Sequence, residues 1–200
     1  MRPTLSAGLY GIADAALGDP ILWGTALAEA GCPTLQLRAK TWSAAQLLDA
    51  AIQLRAVTRR TGTTLIINDH PEIAYKSGAD GVHLGQDDGM PASARRLLGP
   101  SALIGLSTHS MDQACDPKGA DYIGYGPVFS TTTKAEAGMP RGVDELKAVV
   151  LASKVPVVAI GGILPSHIET IKDSGVHAWA LISALTTFKT AQDAVSATHV

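Results

Sequence analysis

Two cysteines in 200 residues, 17% charged side chains and a formal charge of −2 set the first limits on this chain. Cys32 and Cys115 lie far apart and form neither a CxxC pair nor a metal-ligand spacing, so both are expected to be reduced and structural. Sixteen Lys and Arg against eighteen Asp and Glu leave no basic excess to attract a phosphate backbone. The close basic pairs, Arg59/Arg60 and Arg95/Arg96, fall on expected helices, and neither DNA nor RNA is an expected partner. Nowhere do about 18 apolar residues run together as a membrane span requires, and the opening MRPTLSAGLYGIAD lacks the apolar stretch of a signal peptide. The expectation is a cytoplasmic protein without membrane association. No linker, low-complexity tract or charge run interrupts the chain, and its 46% apolar content is that of a well-buried core. One domain over residues 1–200 is therefore expected.

What the chain does have is a repeated phrase: a short apolar run that ends, on its C-terminal side, in polar residues or glycine. It reads TLQLRAK, LIINDH, GVHLGQDD, LIGLSTH, YIGYGPVFSTTTK, VVAIGG and WALIS in order. Strands are expected at Leu9–Ala13, Thr34–Arg38, Leu65–Asn68, Gly81–Leu84, Leu103–Ser107, Tyr122–Tyr125, Val157–Ile160 and Ala178–Ile182, with helices filling most gaps and a continuous last helix over Ala184–Ala197. Unbroken alternation of strand and helix argues for parallel strands joined by crossovers. An α/β fold of the (β/α)8 type, the TIM barrel, sends every strand's C-terminal end to one rim, where chemistry is performed. GADG, GADY and GVHA read as one turn used three times, as a repeated unit would produce.

Several residues at those strand ends are candidates for chemistry. Gln36, Arg38 and Lys40 alternate along one strand and so face one way; if inward, two cations and an amide meet at the barrel top, where unpaired charge demands an anionic partner. The alternative is a solvated edge strand. Asn68 and Asp69 end the third strand while Asp87 and Asp88 follow the fourth, placing carboxylates on neighbouring strands about 5 Å apart per strand step. Acids beside bases point to a divalent ion and a phosphate, with Mg²⁺ favoured over zinc because the donors are oxygens; the alternative is that each Asp caps the helix after it. Thr131, Thr132, Thr133 and Lys134 sit in a loop, Ser130 to Arg141, too long and too rich in Gly and Thr for a plain connector. That loop is expected to close over an anionic ligand; the alternative is a solvated turn. Gly161 and Gly162, with Ser183 opening the final helix, match the phosphate site that barrels build from their last two loops. Ser107 and His109 overlook the mouth, His109 either as a surface or capping residue or as a proton carrier. His83, in mid-strand, is expected to pack inside.

Taken in order, QLRAK, IINDH, DGVHLGQDD, IGLSTHS, DYIGYGPVFSTTTK, VAIGGI and ALISA resemble the signature of the thiamine-phosphate synthase family, from about Leu9 to Leu185. The resemblance implies a (β/α)8 barrel that joins 4-amino-5-hydroxymethyl-2-methylpyrimidine diphosphate to 4-methyl-5-(2-phosphoethyl)thiazole, or its carboxylated form, with Mg²⁺ and release of diphosphate. It further implies that Gln36, Arg38, Lys40, Asn68 and Lys134 hold the pyrimidine diphosphate and that Asp69 and Asp88 bind the metal. Ser107 then contacts the pyrimidine, while Thr131, Thr133, Gly162, Ile182 and Ser183 receive the thiazole phosphate. Arg38, Lys40, Lys134 and Ser107 form the catalytic set. Small-molecule partners and a monomer or homodimer are expected. The stretch from Met111 to Ala120 is shorter than the family pattern and carries Pro117, so the fifth helix should be about one turn. Two other readings stay open: a thiazole tautomerase of the related barrel family, with His109 as acid or base, and a non-catalytic barrel that binds phosphate ligands.

Overall fold

The computed structural model describes residues 4–131 and 138–198. Eight parallel strands, each paired with the next in sequence and the last with the first, close a barrel among these residues. They are β1 (Gly8–Asp14), β2 (Thr34–Arg38), β3 (Thr64–Asn68), β4 (Gly81–Leu84), β5 (Leu103–Thr108), β6 (Tyr122–Tyr125), β7 (Val157–Ala159) and β8 (Ala178–Leu181). Between them run α1 (Pro20–Glu29), α2 (Ala44–Thr61), α3 (Pro71–Ser77), α4 (Pro91–Leu98), α5 (Met111–Cys115), α6 (Gly142–Ala152) and α7 (Ile168–Lys172), with α8 (Ala191–Thr198) after β8. The solvated-edge reading of β2 falls away, because β2 is hydrogen-bonded on both sides.

Local chemistry sets many of the boundaries. Ser43 and Gln46 form a reciprocal capping box at the start of α2, and Gly62 stops that helix in the left-handed region at φ 79°. Asp19 caps α1 by accepting from the backbone N–H groups of Ile21 and Leu22. Helix α5 is a single short turn of five residues, as the compressed Met111–Ala120 stretch implies.

The last helix differs from expectation. Instead of one helix from Ala184, a 3-10 turn spans Ser183–Thr187 and α8 begins only at Ala191. The Thr186 and Thr187 hydroxyls donate to the carbonyls of Ser183 and Ala184, competing with α-helical continuation. Thr190 and Asp193 then bond each other's backbone N–H, a capping box that restarts the helix. Ser183 consequently opens a 3-10 turn rather than the final α-helix.

Strand alternation divides the core in two. Leu9, Leu35, Leu65, Ile67 and Ile123 face outward against the helices, whereas Tyr10, Ile12, Ile66, Tyr122 and Val158 fill the barrel interior. The repeated Gly-Ala-Asp turn closes the N-terminal floor. Asp80 accepts from the Leu65 N–H at 2.8 Å and is gripped by Arg55 of α2 through both oxygens. Asp121 accepts from the Ile104 N–H at 2.8 Å and pairs with Arg95 of α4. Each floor carboxylate thus ties a helix to a strand end, while the opposite rim is left for function.

Candidate active site

The C-terminal rim opens into a cavity of about 490 Å³, lined among others by Lys40, Asn68, Asp69, Asp88, Ser107 and Gly162. A narrower chamber of about 40 Å³ lies against it inside the barrel, lined by Tyr10, Gln36, Arg38, His83 and Tyr122, with Asn68, Ser107 and His109 bordering both. Side chains that are distant in sequence meet here because successive strands deliver their ends to one rim.

Two carboxylates from adjacent strands dominate the electrostatics. Asp69 follows β3 with φ 62°, an uncommon conformation outside glycine, and its N–H donates to the His83 carbonyl at 2.8 Å. Burial pushes the Asp69 carboxyl above its ordinary range, the neighbouring Asp88 adds to the rise, and Lys40 opposes it. The Lys40 ammonium stands 3.3 Å from Asp69. Asp88 accepts from the Gly85 N–H at 2.9 Å, and a methyl group on Gly85 would come within 2.5 Å of the same oxygen. Neither aspartate is a helix cap: His70 and Met90 occupy the cap positions of α3 and α4, without a side-chain cap bond at either. Among the described residues no group of three or more His, Cys, Asp or Glu side chains gathers as a metal cage. Two neighbouring carboxylates, one of them raised by its burial and by the other, do suit a hard cation whose remaining ligands come from water and substrate oxygens.

Gln36 and Arg38 point inward as their alternation requires, but Arg38 already has an anionic partner. Asp14, its register neighbour on β1, forms an ion pair with it. The anionic partner that a buried cation demands is thus supplied for Arg38 by the fold itself, and Asp14 also accepts from the Ala16 N–H at 3.0 Å. The guanidinium is not saturated, since its Nε is buried without a hydrogen-bond partner among the described residues. Gln36 donates from its amide to the Tyr10 hydroxyl at 2.8 Å.

On the far side of the mouth, Gly161 and Gly162 adopt φ 97° and 66°. Gly162 packs against the loop after β6 so closely that a Cβ would meet the carbonyl oxygens of Phe129, at 2.7 Å, and Ser130. Only glycine leaves this turn able to present its backbone to a ligand. Thr131, Ile182 and Ser183 line the same cavity. Thr133 and Lys134 lie outside the described residues, as does Thr132, and the expectation of a closing loop rests on that segment.

His109 is part of the cavity wall rather than a helix cap. Its Nδ1–H donates to the Gly126 carbonyl at 2.8 Å, which leaves Nε2 as the acceptor. Sequence reading overlooked Asp14, Tyr10 and Tyr122. The signal was present in Tyr10, Ile12 and Asp14, which alternate along β1 as Gln36, Arg38 and Lys40 do from β2.

A family model described as thiamine monophosphate synthase matches residues 9–185. The thiamine-phosphate synthase of Chloroflexus aurantiacus is 43% identical over 157 residues, covering 78% of this chain and 72% of that protein. That of Pelotomaculum thermopropionicum is 41% identical over 187 residues, covering 90% and 85%. Among solved structures, a thiamine phosphate pyrophosphorylase from Pyrococcus furiosus superposes with a TM-score of 0.87 at 31% identity, covering 96% of this chain and 93% of that one. A 3-hexulose-6-phosphate synthase, at TM-score 0.63 and 14% identity, shares the barrel fold alone.

Proposed function

The chain belongs to the thiamine monophosphate synthase family, and we propose that it is a transferase that condenses 4-amino-5-hydroxymethyl-2-methylpyrimidine diphosphate with 4-methyl-5-(2-phosphoethyl)thiazole to give thiamine phosphate and diphosphate. The observation that carries this reading is the meeting of Lys40, Asp69 and Asp88 at one cavity mouth, 3.3 Å separating the ammonium from the first carboxylate. That trio matches a leaving diphosphate, which needs both cationic side chains and anionic metal ligands.

Arg38 and Lys40, with Lys134, neutralise charge as it accumulates on the departing diphosphate, and groups already in position do so without reorganisation. Asp14 aims the Arg38 guanidinium from β1. Asp69 and Asp88 hold Mg²⁺. When bound there, the metal supplies Lewis-acid stabilisation of the leaving group. Gln36, Asn68 and Ser107 orient the pyrimidine so that its methylene carbon, once the C–O bond breaks, faces the thiazole nitrogen. Gly162, Ile182 and Ser183, with Thr131 and Thr133, seat the thiazole phosphate. Fixing both partners replaces a bimolecular encounter, and no protein nucleophile is required. The protein acts on small molecules, and none of its described helices is long and apolar enough to cross a membrane.

The test is release of diphosphate from the two substrates together. Product with Mg²⁺ and none with EDTA is the expected result. Turnover of a carboxylated thiazole phosphate alone, without metal, would instead identify a tautomerase, and no turnover of either kind a binding barrel.

A further inference from the structure

Ser107 is the end of a hydrogen-bonded file of side chains that crosses the barrel interior. The Gln36 amide donates to Tyr10 Oη at 2.8 Å, Tyr10 Oη lies 2.9 Å from Tyr122 Oη, Tyr122 Oη 3.2 Å from His83 Nδ1, and His83 Nε2 3.0 Å from Ser107 Oγ. These residues come from β2, β1, β6, β4 and β5. Glycines make the space for them: a Cβ on Gly105 would collide with the Tyr122 ring and His83 Nδ1, and one on Gly124 would stand 3.2 Å from His83 Cε1.

We propose that this file is a polarity relay in which Tyr10, Tyr122 and His83 are positioning residues that fix Ser107 as a hydrogen-bond donor toward the substrate. The order follows from proton counting. A phenol has one proton, and with Gln36 donating to Tyr10 every proton in the file finds an acceptor when Tyr10 gives its own to Tyr122 and Tyr122 gives its own to His83 Nδ1. His83 is thereby held as the Nε2–H tautomer, which donates to Ser107 Oγ. The Ser107 proton is left to point into the mouth, where it meets an acceptor atom such as a ring nitrogen. Burial drives both phenols well above their usual range, so they remain donors at every pH the fold tolerates. Resting on the synthase reading, the relay names the pyrimidine as the moiety whose acceptor Ser107 selects.

Two measurements test it. In the ligand-free protein, ¹⁵N chemical shifts of His83, assigned by their loss in His83→Asn, should report a protonated Nε2 and a bare Nδ1. The opposite tautomer overturns the relay. In steady-state kinetics, Tyr122→Phe, which removes one oxygen, should lower kcat/KM for the pyrimidine diphosphate about tenfold, the scale of one hydrogen bond. Tyr122→Phe combined with Ser107→Ala should be no worse than Ser107→Ala alone, because the tyrosine acts through the serine. Additive losses would show two independent roles and overturn it. Lack of product from the wild-type chain would strike the synthase reading instead, and the tautomer, read without substrate, would still decide the relay.

Discussion

Replacing Asp14 by Ala removes the partner of a charge that the fold holds almost out of water. The Arg38 and Asp14 side chains are 11% and 2% exposed, which places the pair in the buried regime rather than the surface one. Deleting one member of a buried pair costs about 3–5 kcal/mol, because the survivor keeps its desolvation penalty and loses the attraction that offset it. Arg38 stands near the mouth and can reach some water, so about 3 kcal/mol is expected. For a domain of this length that is a fall in Tm of roughly 6–12 °C. The double variant Asp14→Ala/Arg38→Met removes the stranded charge and should regain most of the loss. It should retain a deficit of about 1 kcal/mol for the bond from the Ala16 N–H that Asp14 accepts. Urea unfolding followed by circular dichroism, with calorimetry for Tm, measures all three proteins. A single-variant loss under about 1 kcal/mol, or a double variant no more stable than the single, would refute the claim that Asp14 exists to hold Arg38.

Asp69 carries a stability cost of opposite sign. Its carboxyl is raised by burial and by Asp88, so its favourable contribution is present below the ordinary carboxylate range and is lost as pH rises through the raised value. Asp69→Asn, which also tolerates φ 62°, should melt higher than wild type at pH 7, with the advantage shrinking on acidification, while activity falls on the order of a hundredfold or more. A lower-melting Asn variant at neutral pH would contradict this. Thermal stabilisation of the wild type by Mg²⁺ should fade on acidification before an ordinary aspartate would protonate, and a shift that is constant from pH 7 to the acid limit of folding would argue against Asp69 as a ligand. Gly162→Ala forces a Cβ against the Phe129 and Ser130 carbonyls at a left-handed φ of 66°, and should cost about 2 kcal/mol and raise KM for the thiazole phosphate about tenfold; wild-type values for both would remove Gly162 from the phosphate seat. A thiol reagent at neutral pH should label the exposed Cys115 and spare Cys32, whose thiol burial pushes up to about 11. Rapid labelling of both in the native state would disprove the buried assignment.

The order of strands and helices was legible because it is written locally. Apolar runs bounded by glycine and proline and the Ser43 cap each act over a few residues, and the observed elements follow them within about two positions over most of the chain. The one helix that differs also has a local explanation, in the threonines at 186 and 187, whose hydroxyls compete with helix continuation, and in the Thr190–Asp193 box that restarts it. Asp69, Asp88, Ser107 and Gly162 could be selected as candidates because each stands at a strand's C-terminal end or in the loop that follows it, and the barrel turns strand ends into neighbours.

Partnership between side chains was not legible in the same way. That Arg38 meets Asp14, that burial and then Asp88 raise the Asp69 carboxyl, and that His83 links Tyr122 to Ser107 depend on register between separate strands. Which residues reach the rim, and which face each strand shows, can be read from one segment at a time, since a strand's two-residue period needs no partner. Which charges satisfy one another is settled on assembly, because those energies fall off over a few ångströms and exist only after the barrel has closed.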